Sequence, residues 1–275
     1  MKKRAPQKQG PARRTGSIST NPDRTDWDHV GEWYDELVGD QGSVHHEQVI
    51  IPGVLRLIDP HPGKRILDIA CGQGVACRAL AGRGAATVGM DLAPSLIEAA
   101  RRRTASPELE SYYVGDARHL ENSPLAPASF DAAICILAIA NMTPLSPIWK
   151  GCFHLLKPGG RLVVVLLHPC FRIPKKSDWG WDDRDQLQYR RVDSYLTSEK
   201  IPIQTHPGQD PGQETFTFHR PLQAYINTLG SAGLLLERLE EWISRKTPPA
   251  GRRFAGLDAS RREIPLFLAL CARKV

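Results

Sequence analysis

The chain has 275 residues, enough for one large domain with a full core, and its 41% hydrophobic and 24% charged residues are those of an ordinary globular protein. Its net charge of +6 comes from Lys2, Lys3, Arg4, Lys8, Arg13 and Arg14, which precede residue 17 with no acid among them, so residues 17–275 are formally neutral and the body carries no nucleic-acid signature. No apolar run is long enough to span a bilayer, and six cysteines without a CxxC pair argue against a disulfide framework or a structural metal and for reduced thiols.

The first 25 residues hold too little apolar material to offset the entropy of ordering, and they read as a disordered basic tail. The tail begins like a signal peptide but has no apolar core, so a cytoplasmic location is expected. Residues 26–60 carry helical patterning with Trp33, Tyr34, His45 and His46. They are expected to lie over the following unit as a lid, with both histidines in solvent. From residue 65 onward apolar runs and helical patterns alternate. "RILDIA" (65–70) leads through glycines into helix "VACRALAGRG", and "AATVGMD" (85–91) precedes helix "SLIEAARRR", with Pro94 in its first turn. "ESYYVGD" (110–116), "FDAAICILA" (130–138) and "RLVVVLL" (161–167) continue the strands, the last following a helix "SPIWKGCFHLL" that stops at "KPGG". Such Val/Ile/Leu runs suit central parallel strands covered on both faces, and the expected fold is α/β, a doubly wound, mostly parallel sheet. Residues 169–220 break the alternation with proline, aromatic and charged residues and read as an insertion. The pattern resumes with helix "PLQAYINTLGSA", strand "LLLERLEEW", a polar loop at 245–262 and strand "IPLFLALCARK".

The first strand ends in Asp68-Ile69-Ala70-Cys71-Gly72-Gln73-Gly74. Glycines at a strand-to-helix turn let a ligand approach the backbone, and the helix start offers unpaired N–H groups. Asp91, which ends the second strand 17 residues after Gly74, is placed to accept ribose hydroxyls. An adenosine-type ligand across the first two strands follows. A dinucleotide site wants G-x-G-x-x-G, but Cys77 occupies the third position and Asp68 opposes a pyrophosphate.

D-x-x-x-G-x-G instead resembles the first motif of the class I S-adenosyl-L-methionine (SAM)-dependent methyltransferases. "GMDLAPSLIEAARRR", "YVGDARHL", "SFDAAICILAIANM" and "LKPGGRLVVV" resemble the family's later motifs in the same order, over about residues 62–168. In style the chain is most similar to the ubiquinone/menaquinone-type small-molecule methyltransferases. The resemblance implies one domain over residues 26–275, a seven-stranded Rossmann-like sheet with an antiparallel last strand. It also implies that Ala70, Gly72 and Gly74 pack on the methionyl part of SAM, and that Asp68 orders that turn and the SAM ammonium. Asp91 with Leu92 would hold the ribose, Asp116 and Ala117 the adenine, and Leu137 or Ala138 would offer a carbonyl to the amino group. Ala70 departs from the glycine of many members, and for Asp116 a helix-capping role competes.

SAM carries an activated methyl, so the enzyme supplies alignment and a dry pocket, and a base only where the acceptor is a neutral hydroxyl or amine. The candidates are Asn141 after strand four, His168 after strand five and Tyr34 on the lid; loop capping or packing is the alternative for each. Cys170 reads as a packing thiol, because RNA methyltransferases with a nucleophilic cysteine need a partner motif after strand four, where this chain has "LAIANM". Trp179 and Trp181 lead an aromatic set, with Tyr189, Phe216 and Phe218, expected to wall a pocket for a flat acceptor. A self-packed extension or a homodimer contact is the alternative. The reading is therefore a SAM-dependent methyltransferase acting on a small aromatic or apolar acceptor, releasing S-adenosyl-L-homocysteine (SAH). RNA methylation and a non-catalytic SAM-binding module are its rivals.

Overall fold

The computed structural model describes residues 39, 42–204 and 214–275, so the basic tail, Trp33 and Tyr34 lie outside the described residues. A π-helical turn, His46–Ile50, runs directly into helix α1 (Ile51–Ile58). Ile50, Val54, Leu57 and Ile58 recur at helical spacing and are buried, which turns one face of this segment onto the sheet. Strand β1 (Arg65–Ile69) is followed by α2 (Val75–Ala81), and β2 (Ala86–Asp91) by α3 (Pro94–Arg102). Then come β3 (Glu110–Val114), β4 (Phe130–Ile136), α4 (Leu145–Leu155) and β5 (Leu156–Leu167). After the insertion come α5 (Leu222–Ser231), β10 (Leu234–Trp242), α6 (Phe254–Glu263) and β11 (Phe267–Lys274).

The seven-stranded sheet has the order β10-β11-β5-β4-β1-β2-β3, parallel from β5 through β3, with β11 antiparallel to both of its neighbours. Chain progression runs outward in opposite directions from β1 and β4, so the crevice at their carboxyl ends is a topological switch point, where open α/β sheets bind ligands. One face is covered by α1 and α2 through Ile50, Val54, Leu80, Ile134, Val163 and Val165. The other is covered by α4 and α5, where Trp149, fully buried, donates its indole N–H to Thr228 Oγ1 at 3.0 Å. Full burial of an aliphatic or aromatic side chain is worth about 1.5–3 kcal/mol, and these two layers hold the sheet rigid beneath the crevice.

Two features depart from the sequence reading. Strand β5 begins at Leu156, so "KPGG" lies within the strand as an irregularity: the register jumps from Phe130↔Leu156 to Ala132↔Arg161. The expected loop at 245–262 contains helix α6, whose buried residues are Gly256 and Ser260 rather than an apolar stripe. A Cβ on Gly256 would stand 2.2 Å from the Gln186 carbonyl oxygen, and Ser260 bonds the Gln188 side chain at 2.8 Å. The helix docks by close approach and hydrogen bonding, which leaves no hydrophobic period to read. The insertion forms two antiparallel hairpins outside the main sheet, β6 (Ser177–Asp182) with β7 (Leu187–Val192) and β8 (Glu199–Gln204) with β9 (Glu214–His219).

Candidate functional site

The turn leaving β1 adopts the left-handed region three times, at Ala70 (φ +56°), Gly72 (φ +54°) and Gly74 (φ +82°). This explains why glycine is favoured at the first of these positions: alanine there carries the steric cost of that region, about 1–2 kcal/mol. Gly74 is required by packing as well, since a Cβ would meet the Tyr112 hydroxyl at 2.6 Å. The turn is hooked to β2, with Cys71 N–H donating to Met90 O at 3.0 Å and Gly72 N–H to Asp91 Oδ2 at 2.9 Å.

These contacts open a cleft of about 40 Å³ lined by His46, Asp68, Ala70, Gly72, Gln73 and Ile136. Asp68 is 2% exposed and has no cationic partner among the described residues; it accepts only a long contact from the Cys77 thiol, at 3.5 Å. Burial pushes its carboxyl up to about 7, with the nearby Asp91 adding to the shift and the Cys77 contact opposing it. Gln73 is 1% exposed, and its Nε2 donates to Gly39 O at 2.8 Å while Oε1 is buried without a partner among the described residues. Among the described residues the cleft is thus lined by two buried acceptor side chains and by no lysine or arginine, a setting that suits a small cationic group such as an ammonium.

Asp91 is nearly as buried, and burial raises its pKa against the pull of backbone N–H groups from Ala93, Gly72 and Leu92. Asp116 caps the short 3₁₀ turn Ala117–Asn122 and takes the Arg118 guanidinium on both oxygens. Burial alone would raise its pKa, but the Arg118 contacts outweigh this and hold it low. The capping alternative for Asp116 is therefore the arrangement observed, with Ala117 buried immediately behind it. At the end of β4, Leu137 takes φ +55°, unusual for a branched side chain, and its N–H bonds Val165 O at 2.7 Å. Ala138 and Asn141 bracket the following 3₁₀ turn, Ile139–Asn141, with Asn141 N–H donating to Ala138 O at 2.8 Å.

Sequence reasoning placed both histidines of the lid in solvent, and the structure corrects it. His46 lines the cleft, its Nδ1 accepting from Ser43 N–H at 3.3 Å and contacting Ser43 Oγ at 3.0 Å, while His45 packs edge-on against Phe267. Burial lowers the pKa of both imidazoles. Gln73 was also missed; its place between the two glycines was the one local clue. His168 is buried, with Nδ1 accepting from Cys170 N–H at 3.2 Å and Nε2 against Glu241 Oε1 at 2.7 Å. Burial lowers its pKa against Glu241, so the neutral ring donates from Nε2, and neither nitrogen has a lone pair left for an acceptor proton.

The two tryptophans do not share one pocket wall. Trp181 lines a cavity of about 440 Å³ with Asp183, Gln186, Pro249 and Arg253, between the β6–β7 hairpin and α6. Trp179 lies beneath two guanidiniums at the root of the same hairpin. Phe216 and Phe218 are taken up within the β8–β9 hairpin, with Lys200 over both rings, and Tyr189 is half exposed. Strand β9 sits over the end of β4, where Thr217 Oγ1 bonds Ala140 O at 3.3 Å and Arg220 bonds Met142 O at 2.7 Å.

Sheet order and the glycine-rich turn at the switch point define a class of protein: a Rossmann-like α/β domain with a ligand cleft at the carboxyl ends of β1 and β4. A methyltransferase-domain family model matches residues 67–164. Over 112 residues the chain is 42% identical to the ubiquinone biosynthesis O-methyltransferase of Xylella fastidiosa, covering 40% of this chain and 44% of that protein. It is 34% identical over 122 residues to the demethylmenaquinone methyltransferase of Clavibacter sepedonicus, covering 44% and 49%. The chain thus spans less than half the length of these curated relatives. The crystal structure of a SAM-dependent methyltransferase from Mesorhizobium loti superposes with a TM-score of 0.64 at 25% identity, covering 86% of this chain and all of that one. Residues 67–164 thus match a methyltransferase domain, and the chain is similar to class I SAM-dependent methyltransferases, proteins whose cofactor is SAM.

Proposed function

We propose that the protein transfers the methyl group of SAM to a small organic acceptor held beyond the carboxyl ends of β4 and β5, under the 169–220 insertion. One observation carries the cofactor half of this reading: Asp68 and Gln73, whose Oε1 is buried without a partner among the described residues, line one cleft at the switch point that no lysine or arginine of those residues lines. The SAM ammonium supplies the cation. Ala70, Gly72 and Gly74 then border the methionyl chain, and Asp91, steadied by three backbone donors, offers its remaining lone pairs to the ribose. Ala117 and the Leu137–Ala138 reversal flank the nucleoside, and Asp116 reaches it only by yielding Arg118.

The bound cofactor supplies a methyl on a sulfonium, ready for in-line displacement, so the chain's own work is alignment and exclusion of water. The matched family model ends at Val164, within β5, so the acceptor side belongs to this chain's own segment. The curated relatives act in ubiquinone and menaquinone synthesis, which supports a ring-bearing acceptor. His46 is the base nearest the cleft, and His168 acts in positioning.

The test pairs calorimetry with transfer. SAH should bind the full chain, and Gln73→Leu should weaken it about 10–100-fold, the value of a charge-assisted hydrogen bond. Tritium from methyl-labelled SAM should enter organic small molecules of a cell extract. Label in RNA would favour the nucleic-acid rival, and tight SAH binding with no transfer would leave a binding module.

A further inference from the structure

The turn beyond β5 contains an arrangement that the methyl-donor site does not use. Arg172 N–H donates to His168 O at 2.8 Å, which sets Arg172 one turn past the end of the strand. Its guanidinium lies 4.8 Å from the centre of the Trp179 ring, and that of Arg190, the cross-strand partner of Trp179, lies 5.1 Å from the same centre. Arg190 is fixed by neutral atoms: Nε donates to Phe171 O at 2.7 Å, and one terminal nitrogen donates to Ser177 Oγ at 2.7 Å and Ser177 O at 3.3 Å. Arg172 Nε is buried without a hydrogen-bond partner among the described residues. No carboxylate lies within ion-pair distance of either group among the described residues. The acid that acts on Arg190 is the exposed Asp178.

Arg220 repeats part of this arrangement over Phe218, with one terminal nitrogen on the Met142 carbonyl, whereas four other arginines carry an acid. Arg118 is paired with Asp116, Arg56 with Glu240, and Arg161 and Arg273 with Glu237. Burying a guanidinium donor without an acceptor is costly, and stacking on the Trp179 face uses only the plane of each group, which leaves Arg172 Nε unsatisfied and Arg190 bonded to neutral atoms alone. The N–H edge of a guanidinium is a fork matched to the oxygens of a carboxylate or phosphate. The two cations also repel: burial and Arg190 together push Arg172 down to about 10. An anion arriving from outside relieves both penalties at once.

Resting on the methyltransferase reading, we infer that Arg172, Arg190 and Trp179 form an acceptor subsite for an anionic group, a carboxylate or phosphate, which is retained in the methylated product. The geometry connects the two halves of the site. Leu137 at the end of β4 bonds Val165 on β5, and His168 follows β5 directly, so the arginine pair stands one strand over from the cleft that takes the methyl donor.

The experiment incubates the full chain with methyl-tritiated SAM and a bacterial small-molecule extract, then passes the products over an anion exchanger, which does not retain the cationic donor. Label is expected on the resin. Phosphatase treatment releases it if the handle is a phosphate monoester and leaves it bound if the handle is a carboxylate. With the acceptor recovered from the resin, Arg172→Gln and Arg190→Gln are each expected to raise the half-saturating concentration about 10–100-fold, the value of a hydrogen bond to a charged group. They should also flatten its dependence on NaCl, with SAH affinity unchanged and Arg172→Lys recovering part of the loss. A role confined to clamping the hairpin would not move the salt dependence. Label only in unretained products, or variants with unaltered half-saturation and salt response, would overturn the anion subsite while leaving methyl transfer standing. SAH binding with no label in any fraction would overturn methyl transfer itself, and this inference with it.

Discussion

Asp91 Oδ2 accepts the Gly72 N–H at 2.9 Å, so the acid that ends β2 holds the glycine turn that ends β1. Its other oxygen takes Ala93 N–H, at 2.9 Å, at the start of α3. An acid expected only to meet a ribose is also a brace between two strand ends. Asp91→Ala should therefore lower stability by about 1–3 kcal/mol, because buried N–H groups lose their acceptor, besides weakening SAH binding. Urea unfolding and calorimetry on the same variant separate the two effects; loss of affinity at unchanged stability would show that the brace carries no weight.

The turn makes opposite demands at two positions. Gly74→Ala adds a Cβ at φ +82° against Tyr112 and should cost about 1–2 kcal/mol or more, seen as a fall in Tm and in SAH affinity. Ala70→Gly relieves a left-handed alanine at φ +56° but loosens the unfolded chain, and should change stability by less than about 1 kcal/mol, on the stabilising side.

Cofactor affinity should depend on pH through Asp68. In the free protein burial holds its carboxyl at about 7, far above the ordinary aspartate value, so it is protonated in mild acid. An ammonium requires the carboxylate, so binding below pH 7 must expel a proton. SAH affinity should rise up to tenfold per pH unit as pH approaches 7 and then level off, with proton release measured by titration in buffers of different ionisation enthalpy. Without ligand the sign reverses: the raised pKa favours folding when protonated, and stability should fall as pH rises from about 4 to 7. Asp68→Asn should remove both trends.

His168 has both ring nitrogens engaged, by Cys170 N–H and by Glu241. His168→Gln keeps a donor toward Glu241 and should reduce methyl transfer by less than about tenfold. A loss of about 10²–10⁴, the range of a general base, would restore it to direct proton transfer.

The cofactor half was legible because it is written locally. Strands β1, β2, β3 and β4 showed as short apolar runs within a few residues of their observed ends, and the glycine-rich turn is where the structure has its left-handed backbone, at Ala70, Gly72 and Gly74. The acceptor half was not legible. Trp179 and Trp181, two residues apart, looked like one aromatic wall, yet they belong to different surroundings, because Arg172 and Arg190 cover one ring from within the insertion and Arg253, far along the chain, covers the other. Helix α6 was hidden because it docks through a glycine and a serine.

By itself the sequence determined the alternation of strands and helices, the switch-point turn and the acids at its edge, since period, glycine placement and strand ends depend on neighbours a few residues apart. Only the tertiary structure decided that His46 reaches the cleft and, among the described residues, that Gln73 keeps an unpaired oxygen and that two arginines converge on Trp179 without an acid. Those facts depend on which side chains folding brings together across long separations in sequence, and on which polar atoms burial leaves unpaired.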